Sequence, residues 1–299
     1  MARKGNLNRG EIQSILSKTK FIEQGTPGFF HGRVFKTTPP APKATWKSKE
    51  PPRADHDTPD WLNATEYNDT PAVLQDKVAR LAALMSISKK TVVYSGAGIS
   101  TSAGVRQAAA GDGKQNSGAD NGTNATPSTT HLALAALERN GLIHQWIQQN
   151  HDGLPQKAGY PQERIVEIHG SWYDPSNPVV CYDGALRQDM FRRMSEAAET
   201  ADLVLVLGTS LSGLNSDKVA VKPAVRSLQG KALGTVIVNL QQTVHDGEAS
   251  IRIFAETDRL MTELLQNLAI SIQDNTPKQD IEHQALVPYD RLGKPKKKG

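Results

Sequence analysis

One cysteine, Cys181, stands in a chain of 299 residues. A single thiol excludes an intramolecular disulfide and any metal site built from several cysteines. No stretch approaches the ~20 consecutive apolar residues that a membrane helix needs, so no membrane partner is expected. The opening Met1-Ala2-Arg3-Lys4-Gly5-Asn6 leads into no apolar secretory core. Aromatic residues are 5% and apolar residues 37% of the chain, below the roughly 45–50% of a compact globule. Part of the chain is therefore expected to lie outside a core. These absences make a reducing, cytoplasmic compartment the default.

Charge is uneven. Lys and Arg number 35 against 31 Asp and Glu, a formal net charge of +4. The first 57 residues hold 11 Lys/Arg against 5 Asp/Glu, and the chain ends Lys294-Pro295-Lys296-Lys297-Lys298-Gly299. Basic ends meet acidic partners or simply stay solvated. They lack the interleaved aromatics of a nucleic-acid binder, so nucleic acid is not an expected partner.

Three regions follow. Residues 1–69 read as a Pro-rich basic arm, with prolines at 27, 39, 40, 42, 51, 52 and 59 and no lasting apolar period. Phe29, Phe30, Val34, Phe35, Trp46 and Trp61 are spaced along it as anchors, either to its own domain or to a partner, and a helical turn or two is expected over Gly10 to Leu16. Such an arm should be separable from the folded part. Residues 70–272 form that part, and residues 273–299 a basic tail. Thr70-Pro71 starts a helix whose buried face is Val73, Leu74, Val78, Leu81, Leu84 and Met85. Strand-like runs follow at Thr91–Ser95, Ile143–Gln149, Arg164–His169, Asp202–Leu207 and Thr235–Leu240. Between them lie helical segments at Ser128–Arg139, Gln188–Glu199 and Val219–Gln229, and another at Glu256–Ile270 closes the domain. Short strands alternating with helices predict an α/β fold, a Rossmann-like doubly wound parallel sheet.

The candidate site residues sit where strands end. Gly96-Ala97-Gly98-Ile99-Ser100 and Gly104 form a small-residue turn after a strand, expected to open a helix. Such a turn cradles a diphosphate, or merely connects tightly. Gln149, Asn150 and Asp152 end the next strand, at the edge where such sheets bind ligands. His169 at another strand end suits a general base near neutral pH, or a structural role. Gly208-Thr209-Ser210 and Asn239 end two further strands and offer hydrogen-bonding edges to a nucleoside.

Taken together in order and spacing, these motifs resemble the sirtuins, the NAD-dependent protein lysine deacylases. The resemblance runs from about Thr70 to Ile270. It rests on Gly96-Ala97-Gly98-Ile99-Ser100, the helix start from Pro127-Ser128 to His131, Gln149-Asn150-His151-Asp152-Gly153-Leu154, Glu167-Ile168-His169-Gly170-Ser171, Gly208-Thr209-Ser210-Leu211 and Val238-Asn239-Leu240. It implies NAD as cofactor and an acyl-lysine protein as substrate. It further implies His169 as the base on the ribose hydroxyl, with Asn150 and Asp152 placing the ribose and the nicotinamide amide. The diphosphate would lie on residues 96–100, and the adenosine half on Gly208, Ser210 and Asn239. His131 would be scaffold.

The chain also departs from that family. Gly104-Val105-Arg106-Gln107-Ala108-Ala109 replaces Gly-Ile-Pro-Asp-Phe-Arg, losing an aromatic shield and a charged contact worth about 2–4 kcal/mol of NAD binding. Only Trp172 to Leu186 spans the place of the four-cysteine zinc ribbon. Cys181 alone cannot build that site, so a reduced or absent small domain and no zinc are expected, with Cys181 a buried structural residue. The peptide-pairing strand is replaced by Leu186-Arg187-Gln188-Asp189 running into a helix. Two readings follow: an NAD-dependent protein deacylase or ADP-ribosyl-transfer enzyme, or a weak or inactive subunit of a larger assembly anchored by residues 1–69. A cytoskeletal or ciliary setting is compatible with the second.

Overall fold

The computed structural model describes residues 8–47, 65–105, 125–174, 176–180, 184–212 and 215–272. In chain order the elements are α1 (Arg9–Lys18), β1 (Lys43–Trp46), β2 (Glu66–Asn68), α2 (Pro71–Ile87), β3 (Thr91–Ser95), α3 (Thr129–Arg139), β4 (Gln145–Gln148), α4 (Leu154–Lys157), β5 (Ile165–Glu167), α5 (Gln188–Thr200), β6 (Leu203–Leu207), α6 (Lys218–Ser227), β7 (Gly234–Val238), β8 (Ile251–Ile253) and α7 (Thr257–Leu268). β3 to β8 form one sheet in the order β5-β4-β3-β6-β7-β8, with every neighbour pair parallel. The Rossmann-like expectation holds.

Strand periodicity sorts the side chains onto two faces. Val93, Leu203, Leu205, Leu207, Val236 and Val238 bury with α2, α3 and α7. Val92, Tyr94, Val204, Val206 and Ile237 bury with α5 and α6. The chain starts the sheet in its middle, runs outward to β5, then returns to lay β6 against β3. The reversal lies between β3 and β6, and their carboxyl ends open the crevice where doubly wound sheets take ligands.

Three expectations need correction. First, much of the segment read as a separable arm packs on the domain. The Asn8 side chain accepts from Glu11 N–H and the Glu11 carboxylate from Asn8 N–H, so α1 opens on a capping box. Its Ile12 and Leu16 enter the main core. Arg9 then pairs with Asp202 at 2.6 Å, just before β6, and donates to Ile87 O at the end of α2. Helix α1 thus closes the amino-terminal end of the sheet, opposite the crevice.

Residues 31–34 cover the outer edge of β8. Arg33 and Val34 N–H groups donate to Ala249 and Ser250 carbonyls, and Arg252 N–H to His31 O, each at 3.0 Å. An unpaired parallel edge would otherwise face water or a second chain. Of those anchors, Phe29 and Val34 are buried in this chain's own interior. Trp61 lies outside the described residues.

Second, β8 was not expected. Its Ile251-Arg252-Ile253 places a charge in the middle of three residues, and that charge is fully buried. Arg252 meets Asp246 at 2.6 Å with both side chains at 0% exposure, and donates to Asn239 O, Ile253 O and Gln241 O. Its guanidinium lies 3.6 Å over the Phe254 ring. Beside it, Lys77 of α2 bonds both oxygens of Asp69 at 2.8 Å and Phe30 O at 3.0 Å, again fully buried. Two ion pairs therefore join α2, the N-terminal segment and the β7–β8 turn.

Third, the glycine turn opens no helix among the described residues. Ala97–Ile99 is a single 3-10 turn, followed by turns to Gly104. Glycine, serine and threonine are too frequent there to favour a continuing helix. Between β5 and α5 the described residues form turns without a strand. Cys181 lies outside the described residues, as do Arg106 to Ala109.

Candidate functional site

Two glycines bring the crevice walls together. Gly98 N–H donates to Gly208 O at 2.8 Å, and a Cβ on either glycine would come within 2.7 Å of the other's backbone. Gly208 also has φ +57°, a left-handed conformation that glycine adopts without strain. The β3 turn thus lies flush against the β6 turn. Ala97 and Gly98 stay partly exposed at the surface of the crevice, while Ile99 is sunk in the main core and anchors the turn. Gly104, at φ +80°, is exposed.

Ser100 ties this turn to the loop after β4. Its Oγ donates to Asp152 Oδ2 at 2.6 Å and accepts from Asn150 Nδ2 at 3.0 Å. Asn150 Nδ2 also reaches Gly96 O at 3.1 Å. Asp152 is buried and accepts at Oδ1 from Leu154 N–H at 3.1 Å. Both Asn150 donors are engaged inward, so its amide oxygen is the atom left for a ligand.

Gln149 works differently from its expected role. Its amide nitrogen donates to Tyr94 OH, and its oxygen accepts from Thr209 Oγ1 at 3.2 Å. Tyr94 in turn bonds Asp217 at 3.1 Å. Gln149 and Thr209 therefore form the crevice floor, held by Tyr94 and Asp217, which sequence reasoning missed because a buried tyrosine in a strand reads as core. Ser210 and Asn239 are partly exposed at the ends of β6 and β7, and Asn239 Nδ2 is tied to Gln241 O at 3.1 Å.

His169 is half-buried at the end of β5. Its Nδ1 lies 3.2 Å from Gln149 O. A carbonyl only accepts, so Nδ1 carries the proton and Nε2 keeps its lone pair. Burial, then the neighbouring His151, brings its pKa down to about 4, against the backbone hydrogen bond to Gln149. His169 is therefore a neutral imidazole across the physiological range.

His131 is scaffold. It is fully buried, caps α3 with Ser128 and stacks on Trp146 at 5.9 Å. Ser128 Oγ donates to Ile99 O at 3.0 Å, fastening the start of α3 to the glycine turn.

Glu167, in register with Gln148 across β5 and β4, is the site's buried acid. Burial pushes its pKa up from 4.5 to about 7, with Gln156 hydrogen bonding opposing and Asp152 charge adding. The fold thus prefers the neutral acid, and this preference is fully present below pH 4.5 and lost as pH rises through 7. Denaturant unfolding at pH 5 and pH 8 should show a loss of up to about 3 kcal/mol from this group. Glu167→Gln is expected to remove that part of the pH dependence; an unchanged pH dependence would show the carboxyl ionised in the fold.

Comparison with known proteins follows the same lines. The Sir2 family model matches residues 114–178. The NAD-dependent protein deacetylase SRT1 of Arabidopsis thaliana is 31% identical over 256 residues, covering 71% of this chain and 53% of its own length. Human NAD-dependent protein deacetylase sirtuin-7 is 28% identical over 260 residues, covering 69% of this chain and 64% of its own. This chain thus spans about half the length of the SRT1 deacetylases of Arabidopsis and rice. Among solved structures, a Sir2 chain with p53 peptide and NAD+ shares 25% identity at a TM-score of 0.54, covering 64% of this chain and 98% of that one. A Sir2 enzyme solved to explain mechanism and regulation shares the fold at a TM-score of 0.56 and 23% identity, over 65% of this chain and 98% of that one.

Proposed function

The chain belongs to the Sir2 family, the sirtuins, and on that premise we propose that it is an NAD-dependent protein lysine deacylase with His169 as general base. The observation that carries this is the Ser100 knot. One hydroxyl, 2.6 Å from Asp152 and 3.0 Å from Asn150, joins the glycine turn to the loop whose Gln149 carbonyl orients His169. The residues present suit NAD. Gly96 and Gly98 have no side chain, and Ala97 only a methyl, to bar a diphosphate, Asn150 keeps a free amide oxygen, and Ser210 and Asn239 stand partly exposed on the adenosine side.

NAD supplies a ribose carbon that can be attacked and nicotinamide as the group that leaves. The chain's own residues do the rest. Residues 96–100 hold the diphosphate, Asn150 and Asp152 orient the ribose and the amide, and His169 Nε2 accepts a proton from a ribose hydroxyl. A neutral base with a fixed tautomer costs no deprotonation at working pH. The acyl-lysine protein is the substrate. Anchoring in an assembly by residues 1–69 loses much of its motivation, since Phe29 and Val34 are spent on this chain's own core.

Calorimetric titration with NAD, alongside nicotinamide release from an acetylated peptide, tests the proposal. Binding at millimolar or tighter is expected. Ser100→Val should weaken it about tenfold or more, because Asp152 loses its shortest hydrogen bond and stays buried. No heat at millimolar NAD in the wild-type chain would overturn the proposal.

A further inference from the structure

Two imidazoles stand at the crevice. His151, in the loop after β4, directs Nδ1 to Gly170 O at 2.9 Å. His169, in the turn after β5, directs Nδ1 to Gln149 O at 3.2 Å. Each histidine thus donates to a carbonyl beside the other, and the two turns are clasped reciprocally. The rings are 6.4 Å apart, and Trp172 lies 6.1 Å from His151, with its own N–H donating to His151 O at 2.9 Å. Gly170 has φ +89°, and a Cβ there would strike Pro178 O at 2.2 Å, so this turn has one conformation to hold. Neither Nε2 has a hydrogen-bond partner among the described residues, nor is either sealed in the interior.

From this clasp we propose that His151 is a positioning residue for His169: by holding Gly170 O, it keeps the turn bearing His169 at the distance and tilt that aim Nε2 into the crevice. The inference rests on the reading of His169 as base. It gives the ring N–H of His151, between Asn150 and Asp152, a use at the crevice. Outer-shell partners that fix an imidazole's tautomer and tilt commonly matter 10- to 100-fold. The titratable groups facing His151 are Asp152, which favours its charged form, and His169, whose charging a protonated His151 would oppose.

Two variants of the full chain separate donor from ring. Asparagine places an amide N–H near the position of Nδ1–H, whereas phenylalanine keeps the ring and loses the donor. His151→Phe is expected to lower kcat for nicotinamide release about 10- to 100-fold, with KM for NAD within about threefold of wild type. His151→Asn should return kcat to within about threefold. In proton NMR of the NAD-free chain, the His169 Cε1–H signal should be single in wild type and His151→Asn but split or broadened in His151→Phe. Its titration midpoint should move to higher pH in both variants, since a positive neighbour is gone. A His151→Phe chain with wild-type kcat and a wild-type His169 signal would overturn the proposal, as would an asparagine variant no better than phenylalanine. A wild-type chain that releases no nicotinamide would instead overturn the reading of His169 as base, and the NMR comparison would still decide the clasp.

Discussion

Asp69→Ala is expected to cost 3–5 kcal/mol of unfolding free energy, a loss that comes from a cation left behind in the core. Lys77 Nζ bonds both Asp69 oxygens at 2.8 Å, and neither side chain reaches solvent. Burial drives Lys77 down, to about 8 even with Asp69 opposing, and pushes Asp69 up against the same contact. Removing the carboxylate leaves Lys77 with the Phe30 carbonyl and strips Phe254 N–H of its 2.9 Å acceptor. Breaking one side of a buried pair typically costs 3–5 kcal/mol, whereas replacing both partners by apolar groups is often neutral. For a chain of this size each kcal/mol is about 2–4 °C in Tm, so a drop near 10 °C is expected in thermal unfolding. The double variant Asp69→Leu with Lys77→Met should recover most of it. A single variant within 1 kcal/mol of wild type would mean that the pair is wet in solution.

His169→Ala is expected to slow nicotinamide release by 10²- to 10⁴-fold, the usual contribution of a positioned base. NAD affinity should change little, because Ser100, Asn150 and Asp152 bind one another and not His169. The pH profile carries a second, independent expectation. With a pKa near 4 the free enzyme keeps His169 neutral, so kcat/KM should hold steady down to about pH 5 and fall only below it. An acid limb centred at 6.5 would place His169 in water, contrary to its burial. Equal residual turnover in wild type and His169→Ala would remove His169 from the chemistry altogether.

How far the sequence could be read depended on where the information lay. β3, β6 and β7 are runs of β-branched and aliphatic residues buried on both faces, and such runs predict strands within a residue or two. The glycine turn, the Asn150–Asp152 loop and His169 were legible because small and polar residues follow those strands at once. β8 was not, since Arg252 breaks its pattern and the Asp246 that balances its charge lies outside the strand. The N-terminal segment was misread for a related reason. Prolines and polar residues do dominate its composition, yet Ile12, Leu16 and Val34 join a core built by residues from Leu74 to Leu265, and Phe29 is buried beside Gly247. His151 drew no attention because its meaning lies in Gly170, in the turn after another strand.

The cover that residues 31–34 lay over β8 has a consequence for synthesis. A ribosome emits α1 and the edge-covering segment before several of their partners, Ser227 against Arg33 and the carbonyls of Ala249 and Ser250. Until Phe254 has left the exit tunnel, residues 31–34 have no β8 to close upon, and the half-built sheet waits with an unfinished border. Contacts this distant in sequence slow folding and lengthen exposure of apolar surface. The earlier stretch waits for the later one, so residues 31–34 take their place only after translation has passed β8.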